Sequence, residues 1–148
     1  RVPGAYVGMD VIVGFPTETE ERFLATYERL SRLPWTRIHV FPYSVRPGTK
    51  AELIPNEVKN KDLHDRARRL RELSFQRERS EAQKQIGAMK QVLVLNKAAK
   101  GGSQGLSRDY WPVKFSEEGT VESDLLSNQE VWMKVTGAGD SGLKGIRV

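Results

Sequence analysis

Two turns hold the residues best suited to chemistry. The first, Gly14-Phe15-Pro16-Thr17-Glu18-Thr19, ends a run of Val7–Val13; the second, Tyr43-Ser-Val-Arg-Pro-Gly-Thr49, ends Arg37–Phe41. Gly14 lacks a Cβ and lets backbone come close to a ligand, and Pro16 sets the turn. Free N–H groups at the start of the helix that follows can meet an anionic or polar ligand. Tyr43 offers a ring and a hydroxyl, and Arg46 a planar cation suited to carboxylate or phosphate. Tight turns with ordinary capping explain the same spacing, so from spacing alone both readings stay open. Cysteine is absent, which excludes disulfides, thiolate metal sites and cysteine-held iron–sulfur clusters within these residues. The two histidines, His39 in a predicted strand and His64 on a charged helix, do not make a metal site.

The elements around these turns form a β-α-β unit. Val7–Val13 has the continuous apolar character of a fully buried strand, with Asp10 its single charge. Thr17 with Glu20 matches a capping box, Thr19 is a second candidate cap, and Glu18, Glu20 and Glu21 suit the positive end of a helix. Phe23, Leu24, Tyr27, Leu30 and Leu33 recur at helical spacing, and Pro34 ends the helix. A strand, a helix and a strand favour parallel pairing with a right-handed crossover, which sets both turns on one rim. After Pro55 a long charged helix is expected over about 57–86. Its stripe is Leu63, Ala67, Leu70 and Ser74, with Gly87 as a C-cap. Arg66, Arg68, Arg69, Arg71, Arg77 and Arg79 read as a solvated basic face.

Beyond Gly87 the pattern changes to short strands, Gln91–Leu95, Tyr110–Phe115 and Val131–Val135, punctuated by glycines. That predicts a small antiparallel barrel, so the fold class is α/β followed by all-β. The domains expected are 1–86, with two strand–helix units of a parallel barrel and the linking helix, and 87–148. The N-terminal residue is Arg1, read as a trimmed end. Two barrel strands without neighbours expose edges and an apolar face. Residues 1–50 are therefore expected to be less stable than the barrel, or covered by self-association or by the long helix.

The 148 residues carry a formal net charge of +5, which permits a polyanionic partner such as RNA. Residues 87–148 have 8 basic against 7 acidic residues, so RNA contact there requires local clustering. The candidates are Lys97, Lys100, Arg108, Tyr110 and Lys114, with Lys90, Lys134 and Lys144 as further cations. Tyr110 and Trp111 are possible base stackers, against the alternative that Trp111 and Trp132 are barrel core. Glu117, Glu118, Glu122, Asp124 and Glu130 oppose phosphate binding. No apolar run approaches the roughly 20 residues that span a bilayer, so no membrane partner is expected.

Asp10-Val-Ile-Val-Gly-Phe-Pro-Thr-Glu-Thr19 and His39-Val-Phe-Pro-Tyr-Ser-Val-Arg-Pro-Gly-Thr49 resemble two ordered motifs of the radical S-adenosylmethionine methylthiotransferases, Asp-x-Ile-Val-Gly-Phe-Pro-Gly-Glu-Thr and Phe-x-Tyr-Ser-x-Arg-x-Gly-Thr. His39-Val-Phe-Pro-Tyr-Ser44 resembles the branch acting on threonylcarbamoyladenosine in tRNA. The isopentenyladenosine-tRNA and ribosomal-protein branches are near relatives. Gln91-Val-Leu-Val-Leu95, Gly105-Leu-Ser-Arg-Asp-Tyr110 and Ser141-Gly-Leu-Lys-Gly145 resemble the TRAM domain, a small RNA-binding β-barrel. The resemblance implies the last two units of a radical-enzyme barrel followed by TRAM, the C-terminal third of a cytoplasmic enzyme. Its cofactors would be S-adenosylmethionine and two 4Fe-4S clusters, held by cysteines that these residues lack, so the piece alone is expected to be inactive. Ile12, Val13, Gly14, Phe15 and Pro16 would lie beside S-adenosylmethionine, and Tyr43 and Arg46 would meet substrate or cofactor. The barrel would hold the anticodon stem-loop of tRNA. Thr17 stands where the family usually has glycine, so the loop is expected to differ there. A stand-alone RNA-binding module without enzymatic activity is the alternative.

Overall fold

A computed structural model describes residues 3–55, 58–98, 102–115, 127–140 and 142–148. The chain divides into two compact units, one of Val7–Arg77 and one of Arg1–Tyr6 with Glu78–Val148.

In the first unit, β1 (Gly8–Val13), α1 (Glu20–Arg32) and β2 (Arg37–Pro42) are followed by a short 3-10 turn and by α2 (Asn60–Gln83) up to Arg77. β1 and β2 pair in parallel, from Gly8 opposite Arg37 to Val13 opposite Pro42. Val13 and Ile38, with Met9, Val11 and Val40 behind them, pack against Phe23 and Leu30 of α1 and Ala67 and Leu70 of α2. The other face is open: Asp10 and His39 are exposed, Ile12 is 62% and Phe41 50% accessible. The expected fully buried strand is therefore half-covered. Both helices lie on one face, and alternation sends every second side chain of β1 to the other.

The α2 stripe does more than bury apolar surface. The Ser74 hydroxyl accepts from the Ile38 amide at 2.9 Å and donates to the Ile38 carbonyl at 3.2 Å. Arg71 donates to the Val40 carbonyl at 3.4 Å. These are the groups that an edge strand leaves without a ladder partner, so side chains of α2 substitute for a missing neighbour strand. α2 runs over Asn60–Gln83, shorter than the 57–86 expected. Thr19, not Thr17, is the N-cap of α1, with its hydroxyl accepting from the Arg22 amide at 3.3 Å.

In the second unit, β3 (Met89–Ala98), β4 (Gly102–Ser107), β5 (Pro112–Phe115), β6 (Glu130–Gly139) and β7 (Gly142–Arg147) close a barrel in the order β3-β4-β5-β7-β6. The barrel is mixed rather than antiparallel, because β5 and β7 pair in parallel, Val113 opposite Leu143 and Lys114 opposite Lys144. Sequence periodicity missed β4 and β7, whose glycines interrupt the alternation. Gly142 takes φ +123°, and a Cβ there would meet the Pro112 carbonyl oxygen at 2.4 Å, so β7 begins beside β5 only with glycine.

Val92, Val94, Trp111, Val113, Met133, Val135 and Leu143 fill the barrel, joined by Ala82 from the last turns of α2. Residues before β1 complete this core. The Trp111 indole N–H donates to the Gly4 carbonyl at 2.8 Å, and Tyr6 packs edge-on against Trp111 at 5.0 Å. The Tyr6 amide donates to the Asp109 carbonyl and its hydroxyl to Glu78, both at 2.8 Å.

A chain beginning at Val7 should lose the barrel's outer ring contact and leave the buried Trp111 N–H without its acceptor. The expected loss is about 2–4 kcal/mol, from an aromatic pair and an unsatisfied buried donor. Urea unfolding followed by tryptophan fluorescence measures it; an unchanged midpoint would show that the segment contributes nothing.

Candidate functional site

The parallel register fixes the rim. Because Val13 is opposite Pro42, the turns after β1 and β2 leave the sheet side by side, and the Tyr43 amide donates to the Val13 carbonyl at 2.8 Å. The Phe15 and Tyr43 rings meet edge to face at 5.3 Å. The Tyr43 hydroxyl oxygen is shielded from solvent with no hydrogen-bond partner among the described residues. Arg46 begins the next turn, its carbonyl accepting from the Thr49 amide at 3.3 Å and the Thr49 hydroxyl at 2.8 Å. Its side chain is exposed.

Of the five residues expected beside a cofactor, Ile12 and Phe15 present surface, whereas Val13, Gly14 and Pro16 are buried in the packing. Gly14 has φ +81°, and a Cβ there would meet Leu63 Cδ1 at 2.1 Å. The close approach that demands glycine is thus made by α2. The N–H groups of this turn are also occupied. Gly14 donates to the Glu18 carboxylate at 2.7 Å, Glu18 to the Phe15 carbonyl at 2.7 Å, and Arg22 to the Thr19 cap. Glu21 closes the helix start, its carboxyl held below the ordinary value by its own backbone amide and by the Thr19 hydroxyl. The expected free N–H groups are therefore largely satisfied from within. Thr17 is not among the residues with positive φ, so its substitution for glycine leaves it outside the left-handed region.

Arg66, expected on a solvated face, is 5% accessible. Its guanidinium donates to the Glu18 carbonyl at 2.9 Å, to the Glu18 carboxylate at 3.0 Å and to Glu20 at 3.2 Å. Arg69 adds a bond to Glu20 at 2.9 Å and lies 4.7 Å from the centre of the Phe23 ring. The rim turn is thus held by a chain running from the Gly14 amide through Glu18 to Arg66. A signal for this was present: Arg66 is three residues after Leu63 and four before Leu70, on the buried stripe.

The barrel candidates separate differently. Trp111 is buried, 1% accessible, so it is core and not a stacking platform, whereas Trp132 is 54% accessible and is not core. Trp132 lies between the inward Val131 and Met133, so period-two alternation already set it outward. Lys90 is buried and paired with Asp109, which also accepts from the Ser107 hydroxyl. Arg108 is exposed but makes a two-pronged bond to Glu130, at 3.1 and 2.7 Å. That contact raises the Arg108 pKa and lowers that of Glu130. Tyr110 takes φ +69° and is 67% accessible; Lys114 is exposed. The Lys97 backbone lies in β3 opposite Ser103, while its side chain, Lys100 and the acidic residues 117–124 lie outside the described residues.

Replacing Arg66 with Met should destabilise the first unit by about 3–5 kcal/mol, because the shielded Glu18 carboxylate loses its partner. Adding Glu18→Gln should restore part of the loss, a non-additivity that a denaturant double-mutant cycle measures. Additive losses would show that the two side chains do not act together.

No family model matches the chain. It is 37% identical, over 142 residues, to a tRNA-2-methylthio-N(6)-dimethylallyladenosine synthase of Mycobacteroides abscessus, covering 93% of this chain and 28% of that protein. The namesake in Corynebacterium efficiens is also 37% identical, over 93% of this chain and 27% of its own length. A threonylcarbamoyladenosine tRNA methylthiotransferase of Aquifex aeolicus is 42% identical over 63% of this chain and 23% of its own length. The chain thus spans about a quarter of the length of the tRNA-methylthiolating relatives it matches.

Proposed function

We propose that these residues are part of a tRNA methylthiotransferase of the radical S-adenosylmethionine family, in which the β1–β2 rim flanks the cofactor and the barrel, as a TRAM domain, grips tRNA. The observation that carries this reading is the similarity to tRNA methylthiotransferases over 93% of the chain. The arrangement of β1 and β2 supports it, since loops at the carboxyl ends of parallel strands are where α/β folds bind ligands.

The rim suits an adenine-bearing cofactor in its chemistry. Ile12 and Phe15 offer apolar surface, and the buried Tyr43 hydroxyl lacks a partner among the described residues, so a polar ligand atom would satisfy it. When bound in such an enzyme, S-adenosylmethionine supplies the radical chemistry. The chain's own contribution would be to orient: Val13 and Pro16 anchor the turn, Glu18 and Arg66 hold it, and Arg46 presents a cation to an anionic group of substrate or cofactor. The iron–sulfur clusters do not fit here, because the 148 residues contain no cysteine. No step is assigned through them, and these residues alone would not catalyse.

Two substrates have support. The phrase His39-Val-Phe-Pro-Tyr-Ser44 favours N6-threonylcarbamoyladenosine, the reading adopted here. The relatives matched over 93% of the chain carry the dimethylallyladenosine name, which favours that nucleoside as the second. Mass spectrometry of tRNA nucleosides from cells in which the gene encoding these residues is deleted decides between them. The expected result is loss of the methylthio group from N6-threonylcarbamoyladenosine alone. Loss from the dimethylallyl nucleoside would establish the second reading, and retention of both modifications would overturn the proposal.

A further inference from the structure

The outward face of β5, β7 and β6 carries three lysines with no acidic partner among the described residues. By contrast, Lys90 is neutralised by Asp109, and Arg108 by Glu130 at the start of β6. Lys114, Lys134 and Lys144 are exposed and make no ion pair among the described residues. Each lies between two inward-facing residues of its strand, so all three point away from the barrel core.

The sheet register lines them up. Lys114 is opposite Lys144 across the parallel β5–β7 pair, and Lys134 is opposite Ile146 across β6–β7. Two residues further along, the Val148 amide donates to the Trp132 carbonyl at 3.2 Å, which sets the exposed Trp132 ring at the end of the same row. Along β7, the positions 144, 146 and 148 span about 14 Å at strand rise. The row thus reads two adjacent cations, a third cation beside an apolar residue, then an indole. Beside the first two cations is a shallow depression of about 420 Å³ bordered by Lys114, Gly139, Asp140, Gly142 and Lys144. Asp140 is its single acidic border residue.

We infer that RNA lies on this face, with Lys114, Lys144 and Lys134, and not Arg108, along its phosphates and Trp132 stacked on an unpaired base. The inference rests on the proposed RNA-binding role of the barrel and deepens it. Unpaired cations at strand spacing suit a phosphodiester chain, because each neutralised phosphate releases counterions. The exposed indole suits single-stranded RNA, whose bases are free to stack, better than it suits a duplex. At the Trp132 end of the row, Glu130 lies two residues before Trp132 on the outward face of β6 and Gln91 is opposite Trp132 on β3; there Arg108 has its fork engaged by Glu130, and Gln91 donates to the same carboxylate at 2.8 Å. A phosphate would have to displace that carboxylate.

The test uses the 148-residue chain and an unmodified tRNA transcript, with binding measured across a range of salt concentrations. Replacing Lys114, Lys134 and Lys144 together with Gln should lower the slope of log affinity against log salt by about 2 to 3. Trp132→Ala should weaken binding about tenfold at fixed salt. Because Trp35 and Trp111 are buried, fluorescence quenching on binding should come from Trp132 and disappear in that variant. These positions are exposed, and circular dichroism of each variant is the check that it folds. If the unaltered chain binds and the triple variant keeps its slope, while Arg108→Gln loses affinity, this face is wrong and the RNA-binding reading survives. If the unaltered chain shows no salt-sensitive affinity for tRNA, the RNA-binding reading and this face fall together.

Discussion

A single buried guanidinium organises the candidate rim. Arg66 is almost wholly removed from water, and desolvating its charge is unfavourable unless partners surround it. Those partners are the Glu18 carboxylate and carbonyl and the Glu20 carboxylate, all in or next to the turn that follows β1. Glu18 in turn takes the Gly14 amide, so the turn cannot shift without breaking a charged contact. The glycine at position 14 exists in the same context: Leu63 occupies the space where a Cβ would be. Rim geometry in the first unit therefore follows from how α2 packs on β1, not from the turn residues acting alone.

That dependence changes how the Gly14–Thr19 motif is understood. Glycine, proline and an acidic helix start suggest an anion cradle. Here the acceptors are supplied internally, by Glu18, Glu21 and Thr19, and Phe15 is the apolar side chain that the turn presents to solvent. Apolar Phe15 lies edge to face with Tyr43, whose hydroxyl has no hydrogen-bond partner among the described residues. The same internal pairing recurs in the barrel, where Asp109 and Glu130 consume the cations Lys90 and Arg108. Charges predicted from the sequence to be free are, in several cases, already used.

The edge of β2 presents a related economy. A two-stranded sheet would leave the backbone groups of Ile38 and Val40 without ladder partners, yet Ser74 and Arg71 of α2 meet them. Ser74 on an otherwise apolar stripe looks like an imperfection in the periodicity. In the folded unit it satisfies one donor and one acceptor of the strand. The uncovered face with Ile12 and Phe41 remains the part of the sheet that these helices do not bury.

The amino-acid sequence by itself determined the β-α-β order, the side-by-side placement of the two turns, the stripe on α2 and the existence of a small barrel. Each of these is a matter of local periodicity and turn chemistry, which short-range sterics impose. It also contained the outward setting of Trp132 and the inward setting of Arg66, legible from period-two and helical spacing. Only tertiary structure decided the parallel β5–β7 pairing, the use of Gly4–Tyr6 to complete the barrel core, and which cations are paired with acids among the described residues. Those outcomes depend on contacts between residues far apart in the chain, such as Trp111 with Gly4 or Glu130 with Arg108. No local pattern encodes a partner that arrives from another strand.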